Sequence, residues 1–144
     1  MCGLAGIYAY GRQSRGVDRA ELARVRDLMA TRGPDGSGIW VSEDSRVGLA
    51  HRRLSIIDLS ENGSQPMASA DGMLRITFNG EIYNYRELRA ELEHQGCRFR
   101  SDSDTEVLLH LYAVAGRDML YKLRGMFAFA IWDAVKDELF AARD

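Results

Sequence analysis

The chain has 144 residues, 46% of them apolar and 28% charged, and its 19 basic against 21 acidic side chains leave a formal net charge of -2. That is the composition of an ordinary globular domain, and at this length one core burying roughly 70% of the unfolded surface is feasible without disulfide or metal staples. The charges are scattered, which excludes the field of a nucleic-acid or membrane-surface binder, and the longest apolar run, Met126 to Trp132, is far short of the roughly 18 residues of a membrane-spanning helix.

Gly3 to Tyr10 mixes small, β-branched and aromatic residues and predicts a strand almost at the N-terminus. Asp18 and Glu21 form a capping box, and Leu22, Val25, Leu28 and Met29 follow at helical spacing until Gly33 and Pro34. Short β-like pieces follow around Gly38 to Val41, Val47 to His51, Ser55 to Leu59 and Met73 to Asn79, separated by polar turns. Asn84 with Glu87 predicts a second capped helix through Leu88 and Leu92, closed at Gly96, after which Cys97 reads as a strand residue. Ser103 with Glu106 opens a third helix carrying Val107, Leu108, Leu111, Tyr112 and Val114 to Gly116, and a shorter helical piece covers Arg117 to Leu123. Phe127, Phe129 and Ile131 alternate with alanines up to Trp132, and Glu138 to Ala142 completes a hairpin. Strands and helices are thus mixed within one α+β layered domain. Its expected sheet core includes Leu4, Ile7, Ile56, Phe78, Phe127, Phe129 and Trp132.

No basic region followed by an apolar stretch marks a signal peptide, so the expected location is cytoplasmic, where Cys2 and Cys97 stay reduced. There is no Cys-x-x-Cys or His-x-x-x-His pair, and His51, His94 and His110 lie far apart, so no metal site is expected. Cys2 is the first candidate for chemistry. Removal of the initiator Met would place a thiol and a free α-amine on one residue, and an amine that titrates near ~7.7 to 8.0 can accept the thiol proton without a histidine. From position alone Cys2 reads more readily as a small buried hydrophobe in an N-terminal strand.

Phe78-Asn79-Gly80-Glu81-Ile82-Tyr83-Asn84-Tyr85 sets an amide, a glycine and an acid consecutively between a strand and a helix. The Asn79 side chain and a backbone N–H beside Gly80 are donors suited to a developing oxyanion, although Asn79-Gly80 is also a hairpin-turn dipeptide. Arg53, at the end of a strand-like run, could grip a substrate carboxylate with two parallel hydrogen bonds, or form a surface ion pair as Arg52 beside it is expected to do. Asp104, in Ser-Asp-Ser-Asp-Thr-Glu, could bind a cationic amine or simply complement a helix dipole.

Taken together, Met1-Cys2-Gly3-Leu4-Ala5-Gly6-Ile7, Arg32-Gly33-Pro34-Asp35-Gly36, His51-Arg52-Arg53-Leu54-Ser55-Ile56-Ile57-Asp58, Asn79-Gly80-Glu81-Ile82-Tyr83-Asn84, Ser103-Asp104-Thr105-Glu106 and Gly125-Met126-Phe127-Ala128-Phe129-Ala130 resemble the glutaminase domain of class II glutamine amidotransferases. The second and fourth motifs resemble the asparagine synthetase (glutamine-hydrolysing) branch. The resemblance covers essentially residues 1–144 and implies an N-terminal-nucleophile hydrolase fold, a four-layer αββα sandwich with two antiparallel sheets face to face. Carried over by position, it implies Cys2 as nucleophile with its own amine as base once Met1 is gone, and an oxyanion hole from the Asn79 side chain and the Gly80 N–H. It further implies Arg53 on the α-carboxylate of L-glutamine, Glu81 and Asp104 on its α-ammonium, and the backbone of Leu54, Ser55, Ile56 and Ile57 along the pocket.

The implied reaction is hydrolysis of the glutamine side-chain amide through a cysteine thioester, giving glutamate, and ammonia for asparagine biosynthesis by a ligase. In the family an Arg-Asp pair like Arg143-Asp144 is followed by a turn and further strands, so the resemblance implies a glutaminase domain incomplete at its C-terminal end. Nothing resembles the pyrophosphate loop of the synthetase domain, so ATP and magnesium are expected only in that absent, ammonia-accepting partner domain and no cofactor within residues 1–144. A homodimer is compatible with the sequence. An amidotransferase of the same branch with another acceptor, a non-catalytic remnant acting as an interaction module, and a cysteine hydrolase assisted by His51 stand as alternatives.

Overall fold

The computed structural model describes residues 2–11 and 13–144. Three strands, β1 (Gly3–Tyr8), β2 (Gly36–Val41) and β3 (Val47–Arg53), form one antiparallel sheet in the order β1-β3-β2. Four more, β4 (Met67–Ala68), β5 (Leu74–Ile82), β6 (Gly125–Asp133) and β7 (Glu138–Arg143), form a second antiparallel sheet in sequential order. Helix α1 (Arg19–Leu28) covers the outer face of the first sheet, with Leu22 fully buried beneath it. Helices α2 (Tyr85–His94) and α3 (Asp104–Ala115) cover the outer face of the second. The inner faces meet through Val47 and Leu49 of β3 against Ala130 and Trp132 of β6, which completes the expected four layers.

The main core lies between the second sheet and its helices. Ile76, Phe78 and Ile82 of β5 and Phe129 and Ile131 of β6 pack on Leu88, Leu92, Val107, Leu108 and Leu111. Helix α3 sits deepest, with Asp104 through Leu109 all buried. By strand alternation Arg75, Thr77 and Asn79 of β5 point the other way, toward the first sheet. The inner layer is therefore polar on the β5 side, and it is where the site forms.

Local chemistry explains the helix ends. Asp18 caps α1 as expected, its carboxylate accepting from Ala20 N at 2.7 Å and Glu21 N at 3.3 Å. Ser103 caps α3 by accepting from Thr105 N at 3.1 Å, but Glu106 does not turn back onto the cap residue. It accepts instead from Arg100 N, Ser101 N and Ser101 Oγ at 2.7 to 3.1 Å and so anchors the preceding loop. The Asn84 box does not form. Its amide donates to Lys122 O at 2.9 Å and accepts from Arg124 N at 3.0 Å, tying the start of α2 to the approach to β6.

Further sequence expectations are corrected. Ser55 to Leu59 is a loop, with Ile56 68% and Leu59 78% exposed, because its backbone is held by side chains rather than by a neighbouring strand. Ile56 accordingly leaves the expected core, and Leu4, Ile7 and Phe127 are only half-buried, while Phe78, Phe129 and Trp132 are buried. Cys97 is not in a strand; its N–H closes the turn after α2 onto Leu92 O at 3.0 Å. The helical piece expected over Arg117 to Leu123 is the 3-10 segment Gly116–Lys122, and the two-residue strand β4 carries no sequence signal. No helix among the described residues is long and apolar enough to cross a membrane.

Candidate active site

One pocket gathers Cys2, Arg53, Leu54, Ser55, Ile56, Ile57, Asn79, Gly80, Glu81 and Asp104, all ten of the positions expected from the sequence. Cys2 arrives from the start of β1, Arg53 from the end of β3, residues 54–57 from the following loop, Asn79 to Glu81 from β5 and Asp104 from the first turn of α3. Asp58, Gly63, Gln65, Ser103, Thr105 and Met126 also line it, and none of them is among the site residues expected from the sequence.

The Cys2 thiol lies over the first peptide of the loop. Leu54 N–H donates to Cys2 Sγ at 3.3 Å, and the thiol in turn donates to Leu54 O at 3.6 Å. Cys2 O accepts from Arg32 Nε at 3.1 Å, which fixes the strand beneath the thiol. The loop itself is braced from three sides. Asp35, from the Gly-Pro-Asp turn, accepts from Ser55 N at 2.8 Å. Asp58 accepts from Ser60 N at 2.8 Å and from Asp102 N at 3.0 Å. Arg53 donates through Nη1 to Ser60 O at 2.8 Å and through Nη2 to Asp58 O. Arg53 pairs with no carboxylate among the described residues, whereas Arg52 forms the expected surface ion pair, 2.7 Å from Asp27.

Asn79-Gly80 is not a hairpin turn: both residues lie inside β5, paired with Ala128 and Phe127 of β6. Gly80 has φ +153°, and a Cβ there would stand 2.2 Å from Met126 O, so only glycine fits this close approach. Alternate N–H groups of a strand point to the same side. On the side of β5 away from β6, Phe78 N donates to Gln65 Oε1 at 2.6 Å and Ile82 N donates to Asp104 Oδ2 at 3.1 Å. Gly80 N–H lies between them on that edge, beyond the end of β4, and opens on the pocket. Asn79 Oδ1 is buried without a hydrogen-bond partner among the described residues, and Asn79 lines the pocket beside Gly80.

The electrostatics of the pocket are local. Burial pushes the Asp104 carboxyl up to about 6, with Glu81 adding to the rise, while the N–H groups of Ile82 and Thr105 favour the ionised form. Asp104 and Glu81 give the pocket two acids suited to a cation, and Arg53, in the same lining, supplies the opposite charge. His51 takes no part. It is fully buried, its Nδ1 3.1 Å from Thr77 Oγ1, and burial together with the Arg53 charge depresses it to about 4, so it is neutral at pH 7. It does not line the pocket, which removes the geometric basis for a histidine-assisted thiol. Met1 lies outside the described residues, so the expected α-amine of Cys2 carries no geometry. No group of three or more His, Cys, Asp or Glu among the described residues is placed to hold a metal ion.

Comparison with known proteins bears on the same residues. The profile of the family described as glutamine amidotransferase domain matches residues 1–144. Asparagine synthetase [glutamine-hydrolyzing] 1 of Bacillus subtilis is 47% identical over the whole chain, and the amidase chry2 of Gibberella zeae is 40% identical. In both cases the chain spans about a fifth of the relative's length, 22%. Among solved structures, the glutamine phosphoribosylpyrophosphate amidotransferase of B. subtilis superposes with a TM-score of 0.72 at 25% identity, over 98% of this chain and 37% of that one.

Proposed function

The chain belongs to the glutamine amidotransferase domain family, and on that premise we propose that it hydrolyses the side-chain amide of L-glutamine at Cys2. The observation that carries the reading is the convergence in one pocket of a thiol, an open Gly80 N–H beside the Asn79 amide, the cation Arg53 and the acids Glu81 and Asp104. Glutamine is a zwitterion with an amide at its far end. Arg53 takes the α-carboxylate, Asp104 and Glu81 take the α-ammonium, and the chain between them delivers the amide carbon to Cys2 Sγ. Residues 54–57 wall the pocket with backbone.

The thiol proton passes to the α-amine of Cys2 once Met1 is removed, and the sulfur attacks the amide carbon. The carbonyl oxygen becomes an oxyanion held by Asn79 and Gly80 N–H. Collapse of this intermediate breaks the C–N bond and ammonia leaves with the proton from the amine. Water then attacks the γ-glutamyl thioester, giving glutamate and the free thiol. Leu54 N–H, already donating to Sγ, stabilises negative charge on sulfur in both half-reactions.

The 47% identity to a glutamine-hydrolysing asparagine synthetase supports a second step, delivery of the ammonia to an ATP- and magnesium-dependent synthetase domain acting on aspartate. No residue of this chain is assigned to ATP or magnesium. The 40% identity to an amidase favours, as a second reading, the same glutaminase serving another acceptor. Labelling with an electrophilic glutamine analogue, read by intact mass and peptide mapping, tests the core of the proposal. A single adduct at Cys2, with ammonia release from glutamine by the unlabelled chain, is the expected result; a folded, Met1-free sample that takes no adduct and releases no ammonia overturns it and leaves an interaction module.

A further inference from the structure

The edge of β5 that faces the pocket is finished by side chains rather than by a strand. β4 pairs only Met67 with Ile76 and Ala68 with Arg75, and continuing that register would set Pro66 opposite Thr77 and Gln65 opposite Phe78. Thr77 turns its N–H toward β6, so the next donor on this edge is Phe78 N, opposite Gln65. At Gln65 the side chain takes over: Oε1 accepts from Phe78 N at 2.6 Å, the acceptor role a strand carbonyl would have had. The other end of the same amide, Nε2, donates to Thr105 Oγ1 at 3.1 Å. Its backbone is fixed independently, because Gly38 of β2 approaches so closely that a Cβ there would stand 2.0 Å from Gln65 O. One amide thus joins the residue before Asn79 to the residue after Asp104, and it lines the pocket between them.

Resting on the glutaminase reading above, we propose that Gln65 is a positioning residue for hydrolysis, locking the oxyanion-binding edge of β5 to the first turn of α3. Gln65 Oε1 and Asp104 Oδ2 occupy the two N–H groups that flank Gly80, at Phe78 and Ile82, and so leave the Gly80 N–H as the open donor facing the pocket. The Phe78–Gln65–Thr105 chain also sets the distance between Asn79, where charge develops, and Asp104, where the ammonium is held. A shift of β5 by a fraction of an ångström would misplace the oxyanion donors without removing any group that touches glutamine, a loss that falls on the chemical step.

The test is the glutaminase kinetics of Gln65→Met, which keeps the length of the side chain and removes both hydrogen bonds, and of Gln65→Glu, which keeps an oxygen acceptor within reach of Phe78 N–H. Gln65→Met is expected to lower kcat by roughly 10-fold or more, with a smaller change in KM. In an Asn79→Ala background the same substitution is expected to change kcat less than about twofold, because the donor it positions is already gone. Gln65→Glu should recover at least part of the loss in kcat, and labelling of Cys2 by iodoacetamide should match the parent in both variants. If Gln65→Met does not fold, Thr105→Val, which removes only the Nε2 acceptor, carries the same kcat test. Equal losses with and without the Asn79 amide, or a Gln65→Met or Thr105→Val variant that matches the parent kcat, overturn the proposal. A parent that does not hydrolyse glutamine overturns the glutaminase reading and this inference with it.

Discussion

Leu54 N–H points at Cys2 Sγ from 3.3 Å, across 52 residues of sequence, and the thiol answers by donating to the carbonyl of the same residue. The sulfur is thereby fixed over the entrance of the loop that walls the pocket. Changing Cys2 to Ser keeps a hydroxyl able to make both contacts, so the fold should persist. Glutamine hydrolysis is expected to fall by at least about 10³-fold, since a hydroxyl is a far weaker nucleophile than a thiol at neutral pH. Circular dichroism and ammonia release on the same sample check this; a variant that turns over at the parent rate removes Cys2 from the chemistry.

Asn79→Ala deletes the buried amide and, on the proposed mechanism, leaves Gly80 N–H as the remaining oxyanion donor. The expected loss is about 10² to 10³ in kcat with KM little changed, the pattern of an interaction made only in the transition state. Steady-state kinetics decide it: a kcat within threefold of the parent places the oxyanion elsewhere.

Asp104→Asn keeps an oxygen for the Ile82 N–H and removes a buried negative charge. Because burial raises the folded-state carboxyl to about 6 from an ordinary 3.8, ionisation costs the empty protein stability, and that cost grows as pH rises through about 6. The variant should therefore be more stable than the parent at pH 7, by on the order of 2 kcal/mol, while KM for glutamine rises at least 10-fold. Urea denaturation at pH 7 alongside kinetics provides the check. Lower stability together with an unchanged KM would contradict both parts.

The opposite sign holds at His51. Its folded-state value of about 4 lies below the ordinary 6.5, so the stability it contributes is full above 6.5 and is lost as pH falls toward 4. Asp104 changes in the contrary direction over nearly the same window, and in the parent the two offset each other between about 4 and 6. His51→Asn should expose the Asp104 slope, so that stability falls with rising pH by up to about 1.4 kcal/mol per unit, and Asp104→Asn should expose the reverse. Unfolding free energies measured at half-unit steps from pH 4 to 7 distinguish these profiles; parallel curves for all three proteins would rule the coupling out.

Much of this was legible in the order of residues. The Asp18 and Ser103 caps follow from side chains that reach N–H groups two or three residues away, and the alternation in Phe127, Phe129 and Ile131 follows from strand geometry. Cys2, Asn79, Gly80, Arg53 and Asp104 are candidates by their own chemistry and Leu54 to Ile57 and Glu81 by motif resemblance, but local spacing does not bring them together: Asn79-Gly80 reads equally as a turn, and only its pairing with Ala128 and Phe127 places it mid-strand. Asn84 and Ser55 to Leu59 misled for a shared reason, since each has its hydrogen bonds taken by groups distant in sequence, Lys122 and Arg124 in one case and Asp35 in the other.

The sequence by itself determined a mixed α+β chain of near-neutral charge, the positions of most elements and the residue types available for chemistry, because those depend on composition and on contacts within a few residues. Only the tertiary structure decided that Gln65 substitutes for a strand, that Gly80 N–H is the open donor on its edge, and that Asp104 is buried deeply enough to hold its proton up to about 6. Each of those depends on which atoms from remote segments compete for one hydrogen bond or exclude water from one carboxyl, and no local pattern in the chain encodes that competition.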